Sequence, residues 1–215
     1  MLKIKRFTFS PFLENTYVIW DDENNKAAVI DPGFLSENEE NEFAEFIKNE
    51  NLKLEYLINT HCHIDHVFGN SFVKNKYNIP YYAPEKDVFL LDMLPTLAKE
   101  YGIQMKYSPN PGHYITEESD LKIGNIKVKF LFTPGHTPGE YCIYFENEKK
   151  CITGDVLFKE GIGRTDLWGG NYSTLINSIE NKLLSLPDDV EIFPGHGESS
   201  SIGHEKKHNP FLVNS

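Results

Sequence analysis

Cysteine is scarce in this sequence, and it forms no pattern of a disulfide framework or of a cysteine-rich metal site. The 215 residues include 3 cysteines, at Cys62, Cys142 and Cys151, and no two of them make a C-x-x-C pair. Disulfide-stapled domains and four-cysteine zinc sites need more cysteines at closer spacing.

Long apolar runs and excess positive charge are also missing. No stretch approaches the roughly 18 to 20 apolar residues that span a bilayer. The first residues alternate Lys3, Lys5 and Arg6 with apolar side chains, which is typical of a strand and not of a signal peptide. The formal net charge of -11 would repel a polyanion. We expect a cytoplasmic protein with neither a membrane segment nor a nucleic-acid partner.

The chain is instead rich in alternating strand-like and helix-like segments. Residues 16–20 and 27–30 are short β-rich runs around a polar turn, which predicts a hairpin. Ser36 and Glu39 have capping-box spacing and predict a helix over about 37–50. Ser173 is the predicted cap of a later helix. Mixed strands with several helices predict a single domain over residues 1–215, an α/β or α+β sandwich with helices on both outer faces.

One short segment concentrates most of the metal-ligand chemistry. His61, His63, Asp65 and His66 fall within six residues, directly after the predicted strand 54–59. Histidine nitrogen and carboxylate oxygen are ligands that zinc accepts. A polar loop that happens to be rich in histidine is the alternative, but the whole chain has only 8 histidines. The cluster therefore indicates a metal site.

Three later segments share one local design, in which an apolar strand ends at a Gly or Pro turn that carries a metal-ligand residue. They are Pro134-Gly135-His136, Gly154-Asp155 and Pro194-Gly195-His196. Glycine permits unusual dihedrals and a close approach to an ion. Each turn alone is more often an ordinary turn. If these strand ends share one edge of the sandwich, their ligands converge.

This ordered set resembles the metal-ligand pattern of the metallo-β-lactamase superfamily over essentially the whole chain. The resemblance implies a four-layer αββα sandwich that binds two divalent metal ions. Zinc is the expected metal, and iron or manganese can occupy similar sites. The implied ligands are His61, His63 and His136 for the first ion, Asp65, His66 and His196 for the second, and Asp155 as the bridge.

Within the superfamily, the sequence is similar to the glyoxalase II group, and in particular to its short bacterial type. Gly163-Arg164-Thr165-Asp166 matches a signature of that group, and the tail 195–212 matches the short type. The resemblance implies hydrolysis of a small thioester such as S-lactoylglutathione by a metal-bridging hydroxide. Asp65 and Asp155 are the expected catalytic carboxylates, because they would orient that hydroxide. Arg164 is the expected substrate-binding residue, unless it pairs with Asp166.

Several alternatives stay open. The persulfide dioxygenases resemble the same pattern and use one iron, held at the equivalents of His61, His136 and Asp155. A non-catalytic metal-binding module is a further possibility, although structural zinc sites are usually closed and often cysteine-rich. The net charge argues against a nuclease, and the strand-like start argues against a secreted β-lactamase. Cys62 is expected to pack behind the site, with a redox role as the alternative. The oligomeric state is left open.

Overall fold

The computed structural model describes residues 1–213 and divides the chain into two compact units. One unit comprises Met1–Tyr114 with Lys122–Ile126, and the other comprises Ile115–Leu121 with Lys127–Ser215. Each unit has its own hydrophobic core. A single domain over residues 1–215 stays a prediction.

The sheet of the first unit begins with antiparallel strands and ends with parallel ones. Its strands are β1 (Leu2–Phe9), β2 (Glu14–Asp21), β3 (Lys26–Ile30), β4 (Lys53–Ile58), β5 (Tyr81–Ala83) and β6 (His113–Tyr114). They lie side by side in chain order. β1, β2 and β3 pair antiparallel, which confirms the predicted hairpin, and β3 to β6 pair parallel.

Three helices pack on this sheet through apolar side chains. They are α1 (Glu37–Asn49), α2 (Asn70–Tyr77) and α3 (Val88–Glu100). The predicted capping box of α1 is confirmed, because Ser36 and Glu39 each accept a backbone N–H from the other. Phe43 and Ile47 of α1 are buried in the core. Each such side chain contributes about 1.5–3 kcal/mol, which fixes the helix on the sheet.

The remaining strands are short, and most belong to the second unit. They are β7 (Leu121–Ile123), β8 (Ile126–Phe132), β9 (Tyr141–Phe145), β10 (Lys150–Gly154), β11 (Leu157–Phe158), β12 (Gly161–Ile162), β13 (Glu191–Pro194) and β14 (Ser200–Ser201). The second six-stranded sheet has the order β14-β13-β10-β9-β8-β7, and β11 pairs with β12 alone. β10 and β13 pair parallel, so the residues that follow them leave the same edge of the sheet.

The helices of this unit are α4 (Tyr172–Ser178), continued by a π-helical turn (Ile179–Leu183), and α5 (Ile202–His208). The prediction that Ser173 caps α4 is wrong. Asn171 is the cap, since its Oδ1 accepts the N–H of Thr174 at 2.9 Å. The Ser173 hydroxyl donates to that same oxygen at 2.8 Å, so it supports the cap from inside the first turn.

The longest helices of the described part of the chain, α1 and α3, have 13 residues each. Within residues 1–213, no helix has the length and apolar character required to cross a bilayer.

Candidate metal centre

Four of the predicted ligands lie together in the first unit, in the segment that follows β4. The ring centroid of His61 is 4.9 Å from that of His63 and 4.0 Å from that of His66. A 3₁₀ turn over Ile64–His66 brings Oδ2 of Asp65 to 3.9 Å from Nε2 of His66. All three histidines are buried. The structure therefore places these four predicted ligands close together.

Asp31, at the end of β3, supports two of these histidines from behind. Its Oδ2 lies 3.2 Å from Nδ1 of His66 and accepts the Thr60 hydroxyl at 2.6 Å. Because that hydroxyl donates its proton to Asp31, its oxygen accepts from Nδ1 of His61 at 3.1 Å. A proton on Nδ1 leaves the lone pair of His61 on Nε2, the form that binds a metal. Donor atoms of Asp31, His61 and His66 all lie within 4.8 Å of one another.

Glu14 is a second buried carboxyl group beside His66, and sequence reasoning missed it. Its Oε1 lies 3.9 Å from Nδ1 of His66, and its Oε2 accepts the Thr16 hydroxyl at 2.9 Å. Burial raises the pKa of this carboxyl well above its usual range. A Cβ on Gly33 would lie 1.9 Å from Oε2 of Glu14, so only glycine leaves room for it. The available signal was a glutamate three residues ahead of the apolar run 17–20 of β2.

The other three predicted ligands meet in the second unit, each just beyond the end of a strand. They are His136 after β8, Asp155 after β10 and His196 after β13. Oδ2 of Asp155 lies 3.5 Å from Nε2 of His136 and 3.6 Å from Nε2 of His196. His136 and Asp155 are nearly covered, whereas the His196 side chain is 30% exposed. The parallel pairing of β10 and β13 explains why their terminal residues are neighbours.

Asp155 forms one pair of donor atoms with His136 and another with His196, and the spacing of each pair fits a cation. Nδ1 of His136 faces the carbonyl oxygen of Arg164 at 2.7 Å, and a carbonyl only accepts, so Nδ1 carries the proton. Nε2 of the neutral ring therefore keeps its lone pair, and a carboxylate oxygen of Asp155 lies 3.5 Å from it. A tetrahedral ion with bonds of about 2.0–2.2 Å would place its donors about 3.3–3.6 Å apart, a range that includes the observed 3.5 and 3.6 Å.

Glycine is required beside this group for a steric reason. A Cβ on Gly163 would lie 1.8 Å from the carbonyl oxygen of Asp155 and 3.2 Å from Cβ of His136. No side chain fits there. Gly163 therefore lets the next residue, Arg164, offer its carbonyl to His136.

Arg164 pairs with Asp166 in this structure. Its Nε and Nη2 donate to Oδ1 and Oδ2 of Asp166 at 2.7 and 2.8 Å. This pairing lowers the pKa of Asp166 to about 2. Both side chains are more than half exposed, so a substrate carboxylate can reach the guanidinium. The substrate-binding role of Arg164 stays a prediction.

Cys62 is completely buried in the core of the first unit. Burial raises the pKa of its thiol well above the ordinary value, which disfavours the reactive thiolate. Its environment supports the expectation that it packs behind the histidine segment.

The chain matches the model of the metallo-β-lactamase superfamily over residues 10–196. A curated relative in Haemophilus influenzae, hydroxyacylglutathione hydrolase GloC, is 41% identical over 214 residues and 98% of each chain. The BLEG-1 B3 metallo-β-lactamase has a TM-score of 0.89 at 34% identity, over 98% of this chain and 100% of that one. TTHA1623, solved in a di-iron-bound form, has a TM-score of 0.86 at 30% identity, over 97% and 100%.

These matches confirm the predicted α/β metallo-β-lactamase fold. They also agree with the histidine and aspartate groups described above, which are the donor types of a divalent-metal hydrolase. The chain is a metallo-hydrolase of the metallo-β-lactamase superfamily.

Proposed function

We propose that the two ligand groups together hold two divalent metal ions and that the chain hydrolyses a small thioester, with a glutathione thioester as the first candidate. His61, His63 and His136 are the proposed ligands of the first ion. Asp65, His66 and His196 are those of the second ion, and Asp155 is the proposed bridge.

The observation that most directly supports this proposal is the placement of two imidazole nitrogens around one carboxylate oxygen. Nε2 of His136 and Nε2 of His196 lie 3.5 and 3.6 Å from the same Oδ2 of Asp155. A bridging carboxylate needs this arrangement, because one histidine belongs to each ion. Oδ2 of Asp31 lies 3.2 Å from Nδ1 of His66, which places a carboxylate beside a proposed ligand of the second ion.

The proposed chemistry needs no serine or cysteine nucleophile. A pair of divalent ions held by these residues would lower the pKa of a bound water and polarise a substrate carbonyl. The proposed task of Asp155 and Asp65 is to accept a hydrogen bond from that water and to orient it toward the carbonyl carbon. Asp155 is suited to this because its surroundings exclude most solvent.

A thioester suits a site of this kind. A thiol has a reference pKa near 8.5, so the thiolate departs with little help from a general acid. The relative from Haemophilus influenzae is named as a hydroxyacylglutathione hydrolase, and the similarity covers 98% of both chains. Glutathione carries two carboxylates, and the exposed guanidinium of Arg164 is the proposed partner of one of them.

Hydrolysis of S-lactoylglutathione by the zinc-reconstituted protein tests this proposal. His61→Ala should lose both turnover and bound metal. The matched control is His113→Ala, because His113 is an exposed histidine that stacks on Tyr82 and belongs to neither ligand group. If protein that holds two zinc ions shows no turnover, the substrate assignment is wrong, but the proposed metal centre is not contradicted.

A persulfide dioxygenase, which would use one iron, is the second candidate. TTHA1623, a protein 30% identical to this chain, was solved in a di-iron-bound form, so iron is a metal to test in this centre. Iron-loaded protein with glutathione persulfide should consume no oxygen if the hydrolase proposal is right. Oxygen consumption that persists in His196→Ala would favour the mononuclear reaction, since His196 belongs to the second proposed ion.

A further inference from the structure

The second unit contains a buried glutamate that the ligand set does not use. Glu140, immediately before β9, is completely inaccessible to solvent. Its Oε1 accepts the backbone N–H of Asp155 at 2.7 Å. Its own carbonyl oxygen accepts the N–H of Thr133 at 2.9 Å, which anchors it at the end of β8. Glu140 therefore joins the turn that carries His136 to the residue proposed as the metal bridge.

The path of the backbone around Asp155 explains why a side chain must accept the N–H of Asp155. β10 pairs with β9 only as far as Ile152, and its pairing with β13 shifts register between Ile152 and Gly154. Gly154 then adopts a left-handed conformation with φ +48°. The chain thus leaves the sheet just before Asp155, and its N–H loses access to the regular ladder. A buried N–H without an acceptor costs about 1–3 kcal/mol, and Glu140 removes that cost.

We propose that Glu140 is a positioning residue of the metal centre. By accepting the N–H of Asp155, its carboxyl oxygen fixes the peptide that carries the bridging carboxylate, and so keeps Oδ2 between the nitrogens of His136 and His196. The acceptor oxygen performs this task, and the negative charge of Glu140 is not required for it. This inference rests on the proposed metal centre but not on the identity of the substrate.

Three substitutions of Glu140 distinguish the role of its acceptor oxygen from the role of its negative charge. Glu140→Gln keeps an oxygen at the same reach and removes the charge. Glu140→Asp keeps the charge but shortens the side chain by about 1.5 Å, so its oxygen no longer reaches the N–H of Asp155. Glu140→Ala removes both the oxygen and the charge.

Zinc affinity, measured by competition with a chromophoric chelator, is the first readout. We expect Glu140→Asp and Glu140→Ala to bind zinc about 10–100-fold more weakly than the wild type, a typical loss for a group that supports a ligand. Glu140→Gln should stay within about threefold of the wild type, because the hydrogen bond is retained. The visible spectrum of the cobalt-substituted protein should change in Glu140→Asp and be preserved in Glu140→Gln.

Asp21→Ala is the matched control. Asp21 is also a buried carboxylate that accepts backbone N–H groups, from Glu23 and Asn125, but it ends β2 and contacts no proposed ligand. The Asp21→Ala variant should be less stable than the wild type and should bind zinc with unchanged affinity. Wild-type zinc affinity in both Glu140→Asp and Glu140→Ala would overturn the inference. Failure of the wild-type protein to bind two ions would instead overturn the proposed centre.

Discussion

At the scale of single residues, hydrogen bonds behind the ligands decide which atoms face an ion. A carbonyl oxygen sets the tautomer of His136, and the Asp31–Thr60 contact sets that of His61. These supporting groups lie outside the proposed ligand set. Their replacement should therefore alter metal affinity more than it alters the fold.

Asp31→Asn tests this expectation in the first unit. Asp31 has a left-handed backbone, with φ +47°, which asparagine also tolerates, so the substitution introduces no new strain. Loss of the carboxylate beside Nδ1 of His66 should weaken binding of one zinc ion about 10–100-fold. A competition titration that resolves two ions would measure this. Two ions bound with unchanged affinity would show that Asp31 does not support His66.

Gly33→Ala should be strongly destabilising. Its Cβ would lie 1.9 Å from Oε2 of Glu14 and 2.7 Å from the carbonyl oxygen of Asp65, so the ligand segment would have to move. Overpacking of this kind costs about 1–3 kcal/mol in the free energy of unfolding, measurable by urea denaturation. Gly112→Ala is the control, because its Cβ would meet no atom within 4 Å. An equal cost in the two variants would contradict the steric argument.

Arg164→Ala should return the pKa of Asp166 from about 2 toward its ordinary value of 3.8. The guanidinium favours the ionised carboxylate, so the pair persists at neutral pH and is lost only as the pH falls toward 2. Titration of the Asp166 carboxyl group by NMR would measure the midpoint. If the substitution leaves the midpoint unchanged, Arg164 does not pair with Asp166 in solution, and its guanidinium is available to substrate.

At the scale of elements, α1 is secured by one glutamate at its N-terminus. Glu39 accepts the N–H groups of Leu35 and Ser36 at 2.9 and 2.8 Å, and that of Ser10 in the β1–β2 turn at 2.7 Å. Burial opposes ionisation, but these bonds lower the pKa of Glu39 below its ordinary value. The helix cap and the hairpin turn therefore share one carboxylate.

Glu39→Ala should cost more stability than Ser36→Ala, about 2 against about 1 kcal/mol, because three N–H groups lose their acceptor. The stabilisation is present above the unfolded-state pKa and disappears as the pH falls through the lower folded-state pKa. Urea denaturation at neutral and acidic pH would compare the variants. A difference that did not shrink at acidic pH would contradict the role of the carboxylate.

At the scale of the whole molecule, metal binding should raise thermal stability. An ion that binds the native state alone stabilises it by about 2.7 kcal/mol at a free concentration 100 times its Kd. Removal of metal by a chelator should therefore lower the Tm, and zinc should restore it. The rise in Tm on addition of zinc should be smaller in His61→Ala and in His196→Ala than in the wild type. In His113→Ala the rise should be unchanged. An unchanged Tm in the wild type would argue against a native-state metal centre.

Much of the fold and most of the ligand chemistry could be predicted from the sequence, because they depend on local patterns. The capping box of Ser36 and Glu39, the β2–β3 hairpin and the ligands beyond strand ends are all encoded within a few neighbouring residues. The α4 cap was misassigned because Asn171 and Ser173 are both good capping residues, and only the backbone of Asn171 takes the extended conformation of a cap.

By itself, the sequence determined which residue types are available as candidate ligands and in what order they follow the strands. Only the tertiary structure decided which other side chains stand behind those ligands. Asp31 is 35 residues from His66, and Glu140 is 15 from Asp155. Contacts at such separations depend on strand register, on a local bulge and on small residues such as Gly33 and Gly163. Periodicity and turn signals do not specify them, because a shift of one residue along a strand reverses the direction of every side chain.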